Sequence, residues 1–222
     1  IYRARNEVRR LINSNVGQYQ DENHQPFKPV FLTLTFQRNI TDLSVANREY
    51  RKFIKRFGYH VGDNESYIKY VVVPEFQKRG AVHYHLVIFN LPYIKAKIIA
   101  RIWSHGYVKI NAIDEVDNVG AYVCKYMTKD VLDGKEDKLA GQKCYFRSRD
   151  LIEPKEIRLL SDSPECKKLD ELVSGMASSV AYDQEHDSEY YGTITYTQYR
   201  GENSCWKELF NTWQEMRAYQ LR

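Results

Sequence analysis

Pro74-Glu75-Phe76-Gln77-Lys78-Arg79-Gly80-Ala81-Val82-His83-Tyr84-His85-Leu86-Val87-Ile88-Phe89 is the stretch on which the reading of this chain turns. Apolar, β-branched and aromatic residues on both sides of a short Gly-terminated break predict two antiparallel strands, 67–75 and 81–89, joined as a hairpin. Side chains alternate faces along a strand, so His83 and His85 share one face and Tyr84 points to the other. A turn centred on Lys78 and Arg79 sets Glu75 opposite either Val82 or His83. In the second register Glu75 and His83 are directly opposed on one face. Two imidazoles and one carboxylate then converge, a donor set that suits Mg²⁺, Mn²⁺ or another divalent ion acting as a Lewis acid. His-x-His on a strand without the carboxylate would more often be two ordinary sheet residues with core partners.

The flanking sequence predicts an α+β domain built on a central antiparallel sheet of about five strands with flanking helices. Residues 2–13 read as a basic helix carrying Arg3, Arg5, Arg9 and Arg10. Val30-Phe31-Leu32-Thr33-Leu34-Thr35-Phe36 reads as a strand, and Ser44 as the N-cap of a helix to about Phe57. A helix over 94–103 and a strand over 107–111 follow the hairpin, then a helix over 114–130. Residues 144–147 and 191–199 read as strands and 206–222 as a closing amphipathic helix.

The helix over 114–130 holds the second cluster, Tyr122-Val123-Cys124-Lys125-Tyr126-Met127-Thr128-Lys129-Asp130. At about 100° per residue, Tyr126 falls about 40° from Tyr122, with Lys129 about 20° and Lys125 about 60° on the other side. Two phenols and two ammonium groups thus share one stripe. A core stripe would be apolar, although packed tyrosines with snorkelling lysines would look similar. Lysines beside a phenol favour its phenolate and can bind a phosphate oxygen, the help a tyrosine nucleophile needs.

Composition narrows the class. With 43% hydrophobic and 14% aromatic residues in 222, the chain has enough apolar surface for a core. Its longest apolar runs are far short of the roughly 20 residues of a membrane helix, so no membrane partner is expected. Residues 1–13 are charged throughout, unlike a signal peptide. Ile1 stands where Met would begin a full polypeptide, which reads as the interior of a longer protein. Cys124, Cys144, Cys166 and Cys205 are widely spaced and read as reduced thiols of a cytoplasmic protein. The net charge of +4 is uneven: residues 150–190 hold 11 acidic and 4 basic side chains. That leaves a basic body beside an acidic block, either a solvated helix or an appendage to a polyanion-binding domain.

In these motifs the chain resembles the HUH superfamily of single-strand endonucleases, specifically the rolling-circle replication initiators of bacterial plasmids and phages. Phe31-Leu32-Thr33-Leu34-Thr35-Phe36 looks like its first motif. His83-Tyr84-His85 with Glu75 upstream looks like the second. Tyr-x-x-Lys, doubled as Tyr122-Val123-Cys124-Lys125 and Tyr126-Met127-Thr128-Lys129, looks like the third. The likeness covers roughly 30–131, within a nuclease domain placed at 1–149; residues 150–222 would be an acidic segment with a strand and helix packed on it.

The resemblance implies site-specific nicking and rejoining of single-stranded origin DNA, presented as a hairpin, through a 5′-phosphotyrosine that leaves a 3′-hydroxyl. It implies that Glu75, His83 and His85 hold the divalent ion and that Lys129 steadies phosphate or phenolate. Tyr126 fits the motif best as nucleophile because Tyr-x-x-Lys-Asp recurs there, with Tyr122 auxiliary and Lys125 beside both. Tyr84 replaces a more usual aliphatic residue. No G-x-x-x-x-G-K-[ST] occurs, so a separately encoded helicase would open the duplex. Lys78, Arg79 and Arg147 are the candidate DNA contacts, each equally readable as a solvated charge.

A transposase or relaxase of the same chemistry is the nearest alternative, but a relaxase carries a third histidine and places its tyrosine near the N-terminus. A non-catalytic single-strand binding module would use the 18 tyrosines for stacking and leave Glu75, His83 and His85 unexplained. A two-histidine, one-carboxylate iron oxygenase would leave the Tyr/Lys helix unexplained.

Overall fold

In the computed structural model the alternating apolar segments form a five-stranded antiparallel sheet with helices on both faces. The elements run α1 (Tyr2–Asn15), β1 (Val30–Thr35), α2 (Leu43–Gly62), β2 (Tyr70–Phe76), β3 (Val82–Ile88), α3 (Ala96–Trp103), β4 (Val108–Ala112), α4 (Val119–Leu132) and β5 (Phe146–Arg147). They are followed by α5 (Pro164–Met176), β6 (Ser179–Ser188) and β7 (Gly192–Arg200). The structure describes residues 2–62, 64, 66–113, 119–132, 142–155, 164–176, 179–188, 192–200 and 211. The chain divides into two compact units, Ile1–Lys155 and Glu156–Arg222.

In the first unit the strand order is β4-β1-β3-β2-β5. The hairpin takes the second of its two candidate registers, with Glu75 opposite His83. Its turn closes through Gly80 N–H donating to Gln77 O (2.8 Å) and Gln77 N–H to Ala81 O (2.9 Å). Gly80 adopts φ 88°, where a residue with a Cβ would be strained.

Alternation along the strands makes two cores. Leu32, Leu34, Val72, Tyr84, Leu86 and Ile88 face α2 and α3, packing on Leu43, Ala46, Tyr50, Phe53 and Phe57 and on Ile99 and Trp103. Phe31, Val71, Val73, Val87 and Phe89 face the other way, onto Val8, Leu11 and Ile12 of α1 and Val119, Val123, Cys124 and Met127 of α4. The apolar positions of α2 recur at three- and four-residue spacing, as one buried face of a helix requires. Its cap is Asp42 rather than the expected Ser44. The Asp42 carboxylate accepts from the N–H groups of Ser44 (2.7 Å) and Val45 (3.2 Å). Burial of Leu43 in the core draws the helix start one residue earlier.

The α1–α4 contact fixes where the tyrosines lie. Gly120 N–H donates to Asn13 Oδ1 (3.0 Å), and a Cβ there would come within 2.5 Å of Arg9 O. The clash is with backbone, so no rotamer relieves it. Gly120→Ala is therefore expected to destabilise the unit by about 1–3 kcal/mol, read as a lower urea midpoint at unchanged slope. A wild-type midpoint would show that the helices separate freely.

In the second unit β6 and β7 form a two-stranded antiparallel ribbon. β6 lies in the acidic block, where no strand is expected from the sequence, because Asp183-Gln184-Glu185-His186-Asp187 lacks the apolar alternation that marks one. The acidic side chains are matched across the ribbon: Thr193 donates to Asp187 (3.0 Å) and Thr197 to Asp183 (2.7 Å). The expected closing helix over 206–222, residue 211 apart, and Cys205 lie outside the described residues. Among those described, Cys124, Cys144 and Cys166 are free, and no helix is long and apolar enough to cross a membrane.

Candidate metal and tyrosine site

β2 and β3 place Glu75, His83 and His85 on the face beneath α4. One ligand atom from each lies within 4.8 Å of the others, and all three side chains are buried. His85 Nε2 meets Glu75 Oε2 at 2.5 Å, and His85 Nδ1 lies 3.3 Å from Thr33 Oγ1 on β1. The two contacts fix the plane of the ring and turn one nitrogen toward the carboxylate. Two imidazoles and a carboxylate held on adjacent strands make a donor set that fits a divalent ion, with the rest of its coordination sphere left for substrate and water.

Thr33 was not singled out by the motifs, and it acts through His85. Thr33→Val keeps the volume and removes the hydroxyl. Mn²⁺ affinity, measured by calorimetry, is expected to fall about 10- to 100-fold, while Thr33→Ser retains it. Equal affinity in the Val variant would remove Thr33 from the site.

α4 brings the tyrosines onto this pair of strands. The Tyr126 ring stacks on the His85 imidazole with centroids 3.9 Å apart and an interplanar angle of 19°. Phe31 of β1 sits between the partners, stacked on Tyr126 (5.5 Å) and on His85 (5.7 Å) and edge-on to Tyr122 (5.3 Å). Lys125 is exposed, with Nζ 3.7 Å from the Tyr122 ring centroid and 5.3 Å from that of Tyr126, a cation–π geometry. Burial first, then the Tyr122 hydroxyl and the Glu75 carboxylate, push the Tyr126 phenol well above its ordinary range. A dication among the three ligands acts in the opposite direction, towards phenolate. Tyr122 is the more distant: only Tyr126 has a ring contact with a metal-ligand histidine.

The other expected site residues separate. Lys129 lies on α4, but its side chain is outside the described residues. Lys78 and Arg79 are exposed at the hairpin tip, beside the ligand end of β3. Arg79 is held there, donating from Nη2 to Phe36 O (2.7 Å) and from Nε to Gln77 Oε1 (3.0 Å). Arg147 on β5 pairs with Glu153 (Nη2–Oε1 2.5 Å), so its guanidinium already has an anion. Tyr84 faces the opposite core, where its hydroxyl donates to Asn47 Oδ1 (2.7 Å), consistent with a residue that plays no part in the metal set. Cys124 is buried within the Tyr-x-x-Lys repeat, its thiol donating to Arg5 O (3.2 Å) and pushed up to about 11 by burial. It packs α4 against α1 rather than serving the site.

Residues 29–131 match the family model of the replication-associated protein ORF2. The matched span runs from just before β1 into α4 and includes the three candidate ligands and both tyrosines. Among solved structures, the chain is similar to the hypothetical protein ORF119 from Sulfolobus islandicus rod-shaped virus 1. The identity is 16% and the TM-score 0.37, over 57% of this chain and 92% of that chain. No curated protein matches.

Proposed function

We propose, from a replication-associated family match that spans the whole candidate site, that this chain is a rolling-circle replication initiator of the HUH type. It nicks and rejoins single-stranded origin DNA. The observation that carries the reading is the stacking of Tyr126 on His85, a residue of the one three-donor metal set found among the described residues. Neither a binding module nor an oxygenase calls for a phenol packed on a ligand imidazole.

Glu75, His83 and His85 would hold Mg²⁺ or Mn²⁺, which when bound polarises the scissile phosphate and stabilises charge developing on its oxygens. The residues of the chain do the rest. Phe31 and His85 hold the Tyr126 ring between them, so that the attacking oxygen swings little. That oxygen bonds to phosphorus, the bond to the 3′ oxygen breaks with its electron pair, and the phenol proton passes through solvent to the new 3′-hydroxyl. The product is a 5′-phosphotyrosine, and attack by a 3′-hydroxyl reverses the step and rejoins the strand. Lys125, and Lys129 one turn further along α4, supply positive charge to the phosphate or phenolate. Tyr122, four residues before Tyr126 on the same helix, is placed to take the second attack that closes a circle.

The test is incubation with single-stranded hairpin oligonucleotides from the protein's own replicon, with Mn²⁺ or with EDTA, on a denaturing gel. A protein–DNA band that requires the metal is the expected result. Its absence on replicon DNA would move the reading to a non-catalytic binding module.

A further inference from the structure

Register carries the metal row beyond the histidines. Glu75 pairs with His83 and His83 with Thr35, while Thr35 N–H donates to Tyr107 O (2.9 Å), just before β4. One row along, Val73 pairs with His85, His85 with Thr33, and Thr33 with Lys109. Directly paired residues share a face, so Thr35, Tyr107, Thr33 and Lys109 stand on the same face as the metal set. Two strand spacings separate Tyr107 from His83, about 10 Å.

This part of the face is open. α4 packs over β2 and β3, Tyr107 is 67% exposed and Lys109 is exposed. A groove of about 500 Å³ lies here, with Thr35, Gln37, Arg79, Ser104 and Tyr107 in its walls. Arg79 is fixed at its rim by Phe36 O and Gln77 Oε1. A guanidinium has five N–H donors, so these two contacts orient it and leave others for an anion. An exposed aromatic ring between two cations, next to a metal set, fits one ligand chemistry: an unpaired base on a phosphate backbone.

We propose that this strip seats the nucleotide flanking the scissile phosphate. Its base stacks on Tyr107, and its phosphates meet Arg79 and Lys109. The assignment rests on the nicking reading above, and it requires a single strand, because bases stacked within a duplex offer no free face to Tyr107. It also gives the enzyme a way to prefer one base over another beside the cut, since stacking strength differs among bases.

The test is fluorescence anisotropy with a fluorescein-labelled oligothymidylate in EDTA, where no strand is cut. Tyr107→Ala is expected to weaken binding about ten-fold and Tyr107→Phe to stay within about two-fold of the wild type. Tyr93→Ala is the control, since Tyr93 is 92% exposed but lies beyond the opposite end of β3; it leaves binding unchanged. Lys109→Ala is expected to flatten the log–log salt dependence by about 0.7. Wild-type affinity in Tyr107→Ala, or an equal loss in Tyr93→Ala, overturns the seat. Adduct formation on replicon DNA is scored separately. Adduct with unchanged Tyr107→Ala binding keeps the nicking and removes the seat. Tyr107-dependent binding without adduct keeps the seat as a binding platform and removes the nicking. A wild type that does neither removes both.

Discussion

Tyr126→Phe is expected to abolish the covalent protein–DNA band, a fall of at least about a thousand-fold in adduct formation, while the protein stays folded and still binds Mn²⁺ and strand. The reason lies in what the ring does apart from its oxygen. Its stacking on His85 and Phe31 uses the aromatic face, which phenylalanine keeps, so the ligand imidazole stays where it is. Only the atom that would bond to phosphorus is lost. Tyr122→Phe is expected to retain the first adduct and lose a later rejoining step, because Tyr122 meets Phe31 edge-on and has no ring contact with His85. A band that survives in Tyr126→Phe and vanishes in Tyr122→Phe would reverse the two roles and keep the chemistry. A band in the double variant would remove tyrosine from the mechanism.

Mn²⁺ at about a hundred times its dissociation constant should stabilise the wild type by about 2.7 kcal/mol. For a unit of this size that is a Tm rise of about 5–10 °C. In Glu75→Gln the rise is expected to disappear. The side chain keeps its shape but no longer offers a charge to the cation. Without metal, the Gln variant should melt no lower than the wild type, since Glu75 is only 4% exposed and a carboxylate taken out of water is costly unless fully compensated. The sign of the effect therefore depends on the metal, which a merely structural role for Glu75 does not produce. Differential scanning fluorimetry of both proteins, with and without Mn²⁺, reads it directly. A full metal shift in Glu75→Gln would place the ion elsewhere.

The hairpin and its ligands were legible because everything that fixes them is local. Period-two alternation sets the face, and the Gly80 turn sets the register to within one residue. The Tyr122–Tyr126 stripe was legible for the same reason, since helical periodicity links residues four apart. The sequence could not show which strand lies beside β3 on its other side. That pairing joins β1 to segments far along the chain, and it alone brings Thr33 to His85 and Tyr107 into the metal row. Phe31 was legible as a strand residue but not as the ring between both tyrosines and His85, because that contact needs the helix laid over the sheet. The Arg147–Glu153 pair was hidden because a guanidinium looks the same in sequence whether it faces phosphate or carboxylate. β6 was hidden because its strand character rests on threonine partners in β7 rather than on its own residues.

The order β4-β1-β3-β2-β5 places the two histidines on the strand with a partner along each edge and no exposed position. β5, by contrast, is two residues long at the sheet margin. Amide protons of β3 should therefore exchange with deuterium only when the whole unit opens, and those of β5 by local fraying. The ligand geometry then lasts as long as the fold itself. Partial unfolding that strips an edge leaves the histidines in register, so a protein that has lost its margin to heat or a protease would still present both imidazoles on one face.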